Sequence, residues 1–205
     1  MPSRDPRIAE LVSVAGSRGA TYADARTVER EHEAVSVKDG AVESVTRTAD
    51  RGLGFRVVHR GAWGFAATDR TDDAALRGVV DEAFRRAEAS ASVQRRTVTL
   101  APIEPQRGEY RTTLGRDPFA VPLAERIDHL RAVDAASLGP NIKTRRSSVA
   151  AYRTRKHLVT SEGTDVSQEI VEAGAGLSVL AVKAGRKPAS RYDSRLVRQA
   201  GWEYV

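Results

Sequence analysis

The chain has 205 residues, 33 lysine and arginine against 27 aspartate and glutamate side chains, a pI near 10.0 and no cysteine. The missing cysteine excludes a disulfide scaffold, a thiol nucleophile and cysteine-ligated zinc within this sequence. No apolar run approaches the roughly 20 residues of a membrane span, and residues 1–5 lack the apolar region of a secretory signal, so we expect a soluble cytoplasmic protein.

The first predicted element is an amphipathic helix that Asp5 caps and Pro6 opens. Gly16 and Gly19 end it, because glycine readily adopts the left-handed conformation that follows a helix. Its apolar residues recur every three or four positions and predict a buried stripe. They are Ile8, Leu11, Val12 and Ala15.

Strand-like segments follow at residues 22–32, 34–38, 41–49, 53–59 and 62–67. Asp39-Gly40 is typical of a two-residue hairpin turn, since both residues tolerate the positive φ angles that such a turn needs. Arg60-Gly61 marks a second turn. In the last two segments, alternation predicts a core face made of Leu53, Phe55, Val57, Trp63 and Phe65.

Two further helices and a linker complete the pattern. A helix is predicted at residues 71–91, with Asp72 and Asp73 favourable at its N-terminus. Residues 92–118 contain several prolines and glycines and indicate a linker with one short strand at 97–100. The third helix is predicted at 121–138. The inward residues are Leu76, Val79, Val80, Ala83, Phe84 and Ala87 in the second helix, and Leu123, Ile127, Leu130 and Val133 in the third.

The segment after the third helix is similar to the segment after the first. Strands are predicted at 142–151, 152–160, 166–172 and 174–180, and Gly174-x-Gly176 corresponds to Gly52-x-Gly54. We therefore predict an α+β protein of two helix-plus-antiparallel-sheet units, with an internal duplication as one origin. The alternative is that any two α+β units look alike at this level of detail.

These patterns give three predicted segments: an N-terminal domain at 1–92, a linker at 93–118 and a second domain at 119–205. The helix that follows the first half has no counterpart after the second. We therefore expect the second domain to be incomplete at its C-terminal end.

The sequence lacks the common short motifs of catalytic, metal-binding and nucleotide-binding sites. It has no phosphate-binding loop, no Gly-x-Ser-x-Gly elbow and no His-Glu-x-x-His. The two Gly-x-Gly pairs lack a third glycine and a following helix, so we interpret them as strand starts or bulges. No two of the four histidines lie within one helical turn of each other. Glu125 and His129 are interpreted as a surface pair, and Glu29, Glu31 and Glu33 as a solvated strand face rather than a cation site.

One dense basic stretch lies in the second half, where residues 101–205 carry 17 basic against 12 acidic side chains. Its strand residues Lys143, Arg145, Arg153 and Arg155 form a candidate binding face for nucleic acid or an acidic partner. Only Tyr152 supplies an aromatic ring nearby, whereas nucleic-acid sites usually have several. A solvated or acid-paired face is the alternative.

An ordered set of short motifs resembles the TldD/PmbA family, also described as modulators of DNA gyrase. The set looks more like the TldD branch than the PmbA (TldE) branch. In the first half it includes Tyr22-Ala23-Asp24-Ala25-Arg26, Asp50-Arg51-Gly52-Leu53-Gly54-Phe55 and Gly61-Ala62-Trp63-Gly64-Phe65. In the second half it includes Asp117-Pro118-Phe119, Ser161-Glu162-Gly163-Thr164-Asp165 and Gly201-Trp202-Glu203-Tyr204.

The resemblance implies a cytoplasmic zinc metallopeptidase that degrades unfolded peptides or trims peptide leaders, paired with a PmbA (TldE)-type subunit or with itself. In that family a His-Glu-x-x-x-His helix and a later cysteine of a third domain hold the zinc, which activates a water. This sequence has neither, so no catalytic, cofactor-binding or metal-binding residue is transferred to it. We expect the chain to be the non-catalytic front portion of such an enzyme: a scaffold, a chamber wall and a dimerisation surface.

Overall fold

The computed structural model describes residues 4–193 and 197–205, which form three α-helices, seven strands and two short 3-10 helices. This confirms the α+β class. None of the helices in these residues combines the length and the hydropathy of a membrane span. The elements are α1 (Arg7–Ser17), β1 (Tyr22–Lys38), β2 (Ala41–His59), β3 (Ala62–Thr68), α2 (Asp73–Ala91), β4 (Arg107–Arg111), α3 (Leu123–Ala136), β5 (Ile142–Thr160), β6 (Asp165–Ala181) and β7 (Ala189–Asp193), with 3-10 turns at Pro118–Ala120 and Trp202–Tyr204.

The strands hydrogen-bond in the order β3-β2-β1-β5-β6-β4, and β7 also pairs with β6. The β2–β3 and β6–β7 pairs are antiparallel, whereas β4 runs parallel to β6. Each half of the chain thus has a helix followed by three strands that pair in chain order. The internal duplication nevertheless stays a hypothesis.

The chain divides into two compact units, each built from three segments. The first unit contains residues 1–30, 50–111 and 154–169, and the second contains 31–49, 112–153 and 170–205. The long strands β1, β2, β5 and β6 each contribute residues to both units. The sequence domains 1–92 and 119–205 stay a prediction.

The long strands are continuous where several shorter ones were predicted. The segments predicted at 22–32 and 34–38 form the single strand β1, and the two predicted around residue 151 form β5. The separation was wrong because polar residues within a strand interrupt the apolar alternation without ending the backbone pairing. The Asp39-Gly40 turn is confirmed by φ angles of 49° and 82°.

The core of the first unit lies between its strands and the helices α1 and α2. Both predicted helical stripes are confirmed, because every residue assigned to them is buried. Asp5 accepts a hydrogen bond from the Arg7 amide (3.0 Å), although Pro6 occupies the N-cap position. Asp72 caps α2 by accepting from the Ala75 amide at 3.0 Å.

The predicted inner face of β3 was wrong. Ala62, Gly64 and Ala66 are the buried residues of this strand, whereas Trp63 and Phe65 are 37% and 51% exposed. The reason is that α2 lies directly against β3. A methyl group at Gly64 would overlap the carbonyl oxygen of Ala83, so only small residues fit on that side.

The short strand predicted at 97–100 was also wrong, since these residues form no strand. The Val98 amide donates one hydrogen bond to the Gly61 carbonyl (2.7 Å). The strand of this region is β4, whose five residues are all exposed and pair with β6. An exposed edge strand carries no apolar alternation, so its pattern could not be found in the sequence.

In the second unit, α3 packs a mixed face onto the strands. Leu130 is buried as predicted, together with Val35, Val37 and Val149. Leu123, however, is exposed, and the buried positions of the helix include Arg126 and Asp134. The predicted inner face was therefore partly wrong, because the helix buries charged residues that apolar periodicity does not register.

Candidate functional site

The predicted basic face lies on β5, and in the second unit its arginines are paired with acids. Arg145 is 12% exposed and contacts Asp134 (Nε–Oδ2 3.1 Å) and Asp39 (3.9 Å). Arg153 is equally buried and contacts Asp117 (2.5 Å) and Glu31 (3.8 Å). These carboxylates neutralise the two guanidinium groups within the unit.

Arg155 belongs to the first unit and is also paired, with Glu169 (Nε–Oε2 2.8 Å) and Glu29 (3.9 Å). Lys143 is exposed. The structure thus describes an acid-paired row of arginines, the alternative that the sequence left open. Nucleic-acid or acidic-partner binding through Lys143, Arg145, Arg153 and Arg155 stays a prediction.

The glutamate row of β1 supplies part of this pairing. Glu33 is buried rather than solvated, and its carboxylate contacts Arg126 (2.6 Å) and Arg47 (3.1 Å). The interpretation of this row as a solvated face was therefore wrong for Glu33. The sequence around Glu33 does not indicate its burial, because the partner arginine, Arg126, lies 93 residues away in sequence.

The histidines lie in four separate settings. Glu125 contacts Arg116 rather than His129. Within the described residues, no three histidine, aspartate or glutamate side chains are grouped so that they could hold a metal ion. These residues therefore do not fit the zinc site that the resemblance implies. The ring contacts are His32 with Tyr152, His59 with Phe84 and His129 with Trp202, and His157 hydrogen-bonds Asp165.

A groove of about 490 Å³ lies on the face of the first unit's sheet that points away from α1 and α2. Side chains alternate across a strand, so the neighbours of the core residues in β1, β2 and β3 face this groove. We call it the arginine groove. Its defining residues are Arg26, Arg30, Gly54, Arg56 and Phe65, and Arg51 borders its end, although by alternation it shares the β2 face of Leu53.

One of these arginines is held in place. Arg56 donates to Asp24, which is 2% exposed (Nε–Oδ2 2.8 Å), and its guanidinium lies over the Trp63 ring at 5.4 Å. The hydrogen bond to Asp24 raises the pKa of Arg56. Burial, with a contribution from Asp24, raises the pKa of Tyr22 to about 12, so Tyr22 is neutral beside this ion pair.

The other three arginines have no carboxylate partner. Arg26, Arg30 and Arg51 are exposed, and none forms an ion pair with another described residue. Two acidic residues, Asp24 and Asp50, also line the groove. The groove therefore has a surplus of positive charge and can bind carboxylates or phosphates.

Sequence reasoning did not find this groove, although two features indicated it. Arg26 and Arg30 are four residues apart in a strand and so share one face. Gly52 and Gly54 lie inside β2 rather than at its start, and Gly54 leaves room for the Phe65 ring, 3.3 Å from where a Cβ would be. The misassigned face of β3 concealed the exposed Phe65.

The second Gly-x-Gly pair lines a smaller groove in the second unit. Gly174 and Gly176 border a space of about 310 Å³ together with Ser148 and Tyr192. Its arginine, Arg146, is paired with Glu43. Each groove is therefore bordered by a Gly-x-Gly pair. The arginine groove has a surplus of positive charge, whereas the arginine of the smaller groove is neutralised by Glu43.

Comparison with known families gives two matches in chain order. Residues 23–91 match a model described as the PmbA/TldA metallopeptidase domain 1, and residues 116–204 match one described as the PmbA/TldA metallopeptidase central domain.

Curated relatives are metalloproteases by name. The chain is 24% identical over 184 residues to a metalloprotease of Archaeoglobus fulgidus. The aligned region covers 89% of this chain and 40% of the relative. The chain is 28% identical over 153 residues to a metalloprotease of Synechocystis, covering 73% of this chain and 32% of the relative. The chain thus spans only 32–40% of the length of these two relatives.

Solved structures share the fold at low identity. A Thermotoga maritima protein named as a proposed modulator of a DNA gyrase superposes with a TM-score of 0.72 at 15% identity, over 94% of this chain and 42% of its own. TldE of Thermococcus kodakarensis superposes with a TM-score of 0.66 at 17% identity, over 93% and 42%.

Proposed function

The chain belongs to the PmbA/TldA metallopeptidase family, and from this premise we propose that it forms the non-catalytic front portion of a TldD-type peptidase. In this proposal it is the scaffold, a wall of the peptide chamber and a dimerisation surface of a cytoplasmic zinc enzyme. That enzyme hydrolyses unfolded peptides or trims peptide leaders. The observation that carries the proposal is the match to the first and central family domains in order.

The chemistry of the described residues supports a non-catalytic role. They contain no group of side chains suited to a metal, and the sequence has no cysteine and no His-Glu-x-x-x-His segment. Under this proposal the zinc ligands lie outside these residues. The zinc would supply an activated water to the whole enzyme.

Peptide hydrolysis by the purified chain tests this role. The chain is incubated with a chemically unfolded protein and excess Zn²⁺, and the products are measured by mass spectrometry. We expect no cleavage above the blank, and a commercial zinc peptidase serves as a control for the substrate. Cleavage that requires zinc and is stopped by a chelator would overturn the assignment of the chain as non-catalytic.

Zinc binding gives a second measurement that does not depend on the choice of substrate. A ligand that binds the folded state raises the midpoint of thermal unfolding. We expect an excess of Zn²⁺ to leave this midpoint unchanged. A rise that saturates near one zinc per chain would contradict the proposal that the ligands lie elsewhere.

The proposed assembly is a heterodimer with a PmbA (TldE)-type subunit, or a homodimer. The likeness of this chain's fold to that of TldE supports it. Light scattering after size-exclusion chromatography measures the mass of the chain alone and mixed with a PmbA-type subunit. A monomer in both samples would remove the dimerisation role.

The alternative function is a binding module that uses Lys143, Arg145, Arg153 and Arg155 on nucleic acid or an acidic partner. Binding through phosphate contacts falls steeply as salt rises. Because the three arginines are already paired with carboxylates, we expect no binding of a labelled DNA duplex at low salt. Salt-sensitive binding that Lys143→Ala weakens would favour this alternative.

A further inference from the structure

We propose that the arginine groove of the first unit binds an acidic segment of an extended polypeptide. This inference goes beyond the proposed function, since it concerns binding alone and requires neither zinc nor hydrolysis. It rests on the charge, the spacing and the floor of the groove.

The charge of the groove is available to a ligand. Arg26, Arg30 and Arg51 are exposed and form no ion pair with another described residue. By contrast, Arg7, Arg18 and Arg56 of the same unit each pair with an aspartate. Guanidinium groups bind carboxylates through two parallel hydrogen bonds. A peptide carboxylate would supply the partner that these side chains lack.

The spacing of the arginines matches an extended chain. Arg26 and Arg30 lie on one face of β1, four residues apart, so their Cα atoms are about 13 Å apart at the rise of a strand. An extended peptide that lies along β1 repeats its side chains with the same spacing. Acidic residues at positions i and i+4 of the peptide would therefore reach both arginines.

The floor of the groove has room for such a chain. Gly52 and Gly54 have no side chains there, and the exposed Phe65 ring lies beside Gly54. The volume of about 490 Å³ is within the range of roughly 300–1,000 Å³ found for ligand pockets. An apolar side chain between the acidic residues would contact Phe65.

A peptide fits the groove better than single-stranded nucleic acid. Nucleic-acid sites present successive aromatic faces on which bases stack. Here the Arg56 guanidinium already covers the Trp63 ring at 5.4 Å, and the edge contact with Tyr22 at 5.6 Å holds that ring from another side. Neither ring lines the groove, and Phe65 is the one aromatic side chain among its lining residues.

The test measures binding of a rhodamine-labelled peptide to the purified chain by fluorescence anisotropy. The probe has twelve residues, with glutamate alternating with serine and one central leucine. The comparison probes replace every glutamate by glutamine or replace the peptide by a twelve-nucleotide single strand of DNA. We expect the acidic peptide to bind at least tenfold more tightly than either, as two or more charged contacts allow.

Matched variants locate the binding. Arg26→Ala with Arg30→Ala should weaken binding about tenfold. Arg95→Ala with Arg96→Ala removes the same charge from exposed residues of the same unit outside the groove, and should leave the affinity within about twofold. Circular dichroism confirms that both variants fold.

Three results would overturn the proposal: equal affinity for the acidic and the glutamine peptide, equal loss in the two double variants, or tighter binding of the DNA strand. The assay contains no zinc and measures no cleavage. Its failure would therefore leave the non-catalytic role in a peptidase standing, and failure of that role would leave the groove proposal standing.

Discussion

Arg126 is a charged residue placed inside the second unit, where α3 meets β1. Its guanidinium donates to Glu33 (2.6 Å) and to the carbonyl oxygens of Val121 (3.0 Å) and Pro118 (2.8 Å). The side chains of Arg126 and Glu33 are only 7% and 11% exposed. A buried ion pair adds little net stability over an apolar pair, but it becomes costly when one partner is lost.

We expect Arg126→Ala to lower the free energy of unfolding by about 3–5 kcal/mol, because Glu33 and two carbonyl oxygens lose their buried donor. Replacing both partners, Arg126→Met with Glu33→Leu, should cost less than the single variant. Denaturant unfolding followed by circular dichroism measures both. Arg131→Ala, at an exposed position of α3, is the control and should change stability by less than about 0.5 kcal/mol. Equal losses in Arg126→Ala and Arg131→Ala would show that the pair is not buried as described.

At the scale of elements, the contact between α2 and β3 depends on one glycine. A Cβ at Gly64 would overlap the carbonyl oxygen of Ala83 and lie 2.7 Å from the Ala87 amide nitrogen. Both atoms belong to the helix backbone, which cannot move without separating the two elements. Any side chain at this position therefore forces the helix away from the sheet.

Gly64→Ala should lower the free energy of unfolding by about 3 kcal/mol through this overlap. Gly78 gives a matched control within α2, since nothing lies within 4 Å of the Cβ position there. Gly78→Ala should instead stabilise the protein by about 0.5–1 kcal/mol, because alanine loses less backbone entropy in a helix. Thermal unfolding of both variants measures the opposite signs, and two shifts of the same sign would contradict the close approach.

The same elements show what sequence reasoning can and cannot find. The buried stripe of α2 was predicted residue by residue, because all its members are apolar and spaced at the helical period. The inner face of α3 was not, because it includes Arg126 and Asp134, whose burial depends on partners far away in sequence. For β3 the small residues face the helix and the aromatic ones face solvent, the reverse of what hydrophobicity indicates.

The candidate sites show the same limit. A run of arginines in β5 indicated a basic face, but their charge is cancelled by acids of other elements. The arginines that do lack partners, such as Arg26 and Arg30, are scattered along strands and form no run. Which arginine meets a carboxylate is decided by strand pairing, and one sequence does not specify pairing between distant strands.

At the scale of the whole molecule, the free energy of unfolding should depend on pH. The cause is a set of carboxylates whose ionised form is stabilised by hydrogen bonds from arginine side chains or from backbone amides. The largest effect is at Glu203, whose carboxylate accepts from the backbone amides of Arg116 (2.9 Å), Gly115 and Gly201 (2.8 Å). These bonds lower its pKa from 4.5 to about 2. The pKa is also lowered by Arg7 at Asp5, by Arg146 at Glu43, by the Ala75 amide at Asp72 and by Arg116 at Glu125.

A carboxylate whose pKa is lower in the folded than in the unfolded state stabilises the fold fully above the unfolded value, and this contribution is lost as pH falls towards the folded value. We therefore expect stability to fall between pH 4.5 and about 2, the window set by Glu203. Glu203→Gln should flatten this fall, whereas Glu10→Gln, at an exposed glutamate of α1, should not. Urea midpoints measured across that range compare the three proteins. If the Glu203→Gln protein loses stability as steeply as the parent, backbone donors do not hold this carboxylate ionised, and the link between Glu203 and residues 115–116 is not formed in solution.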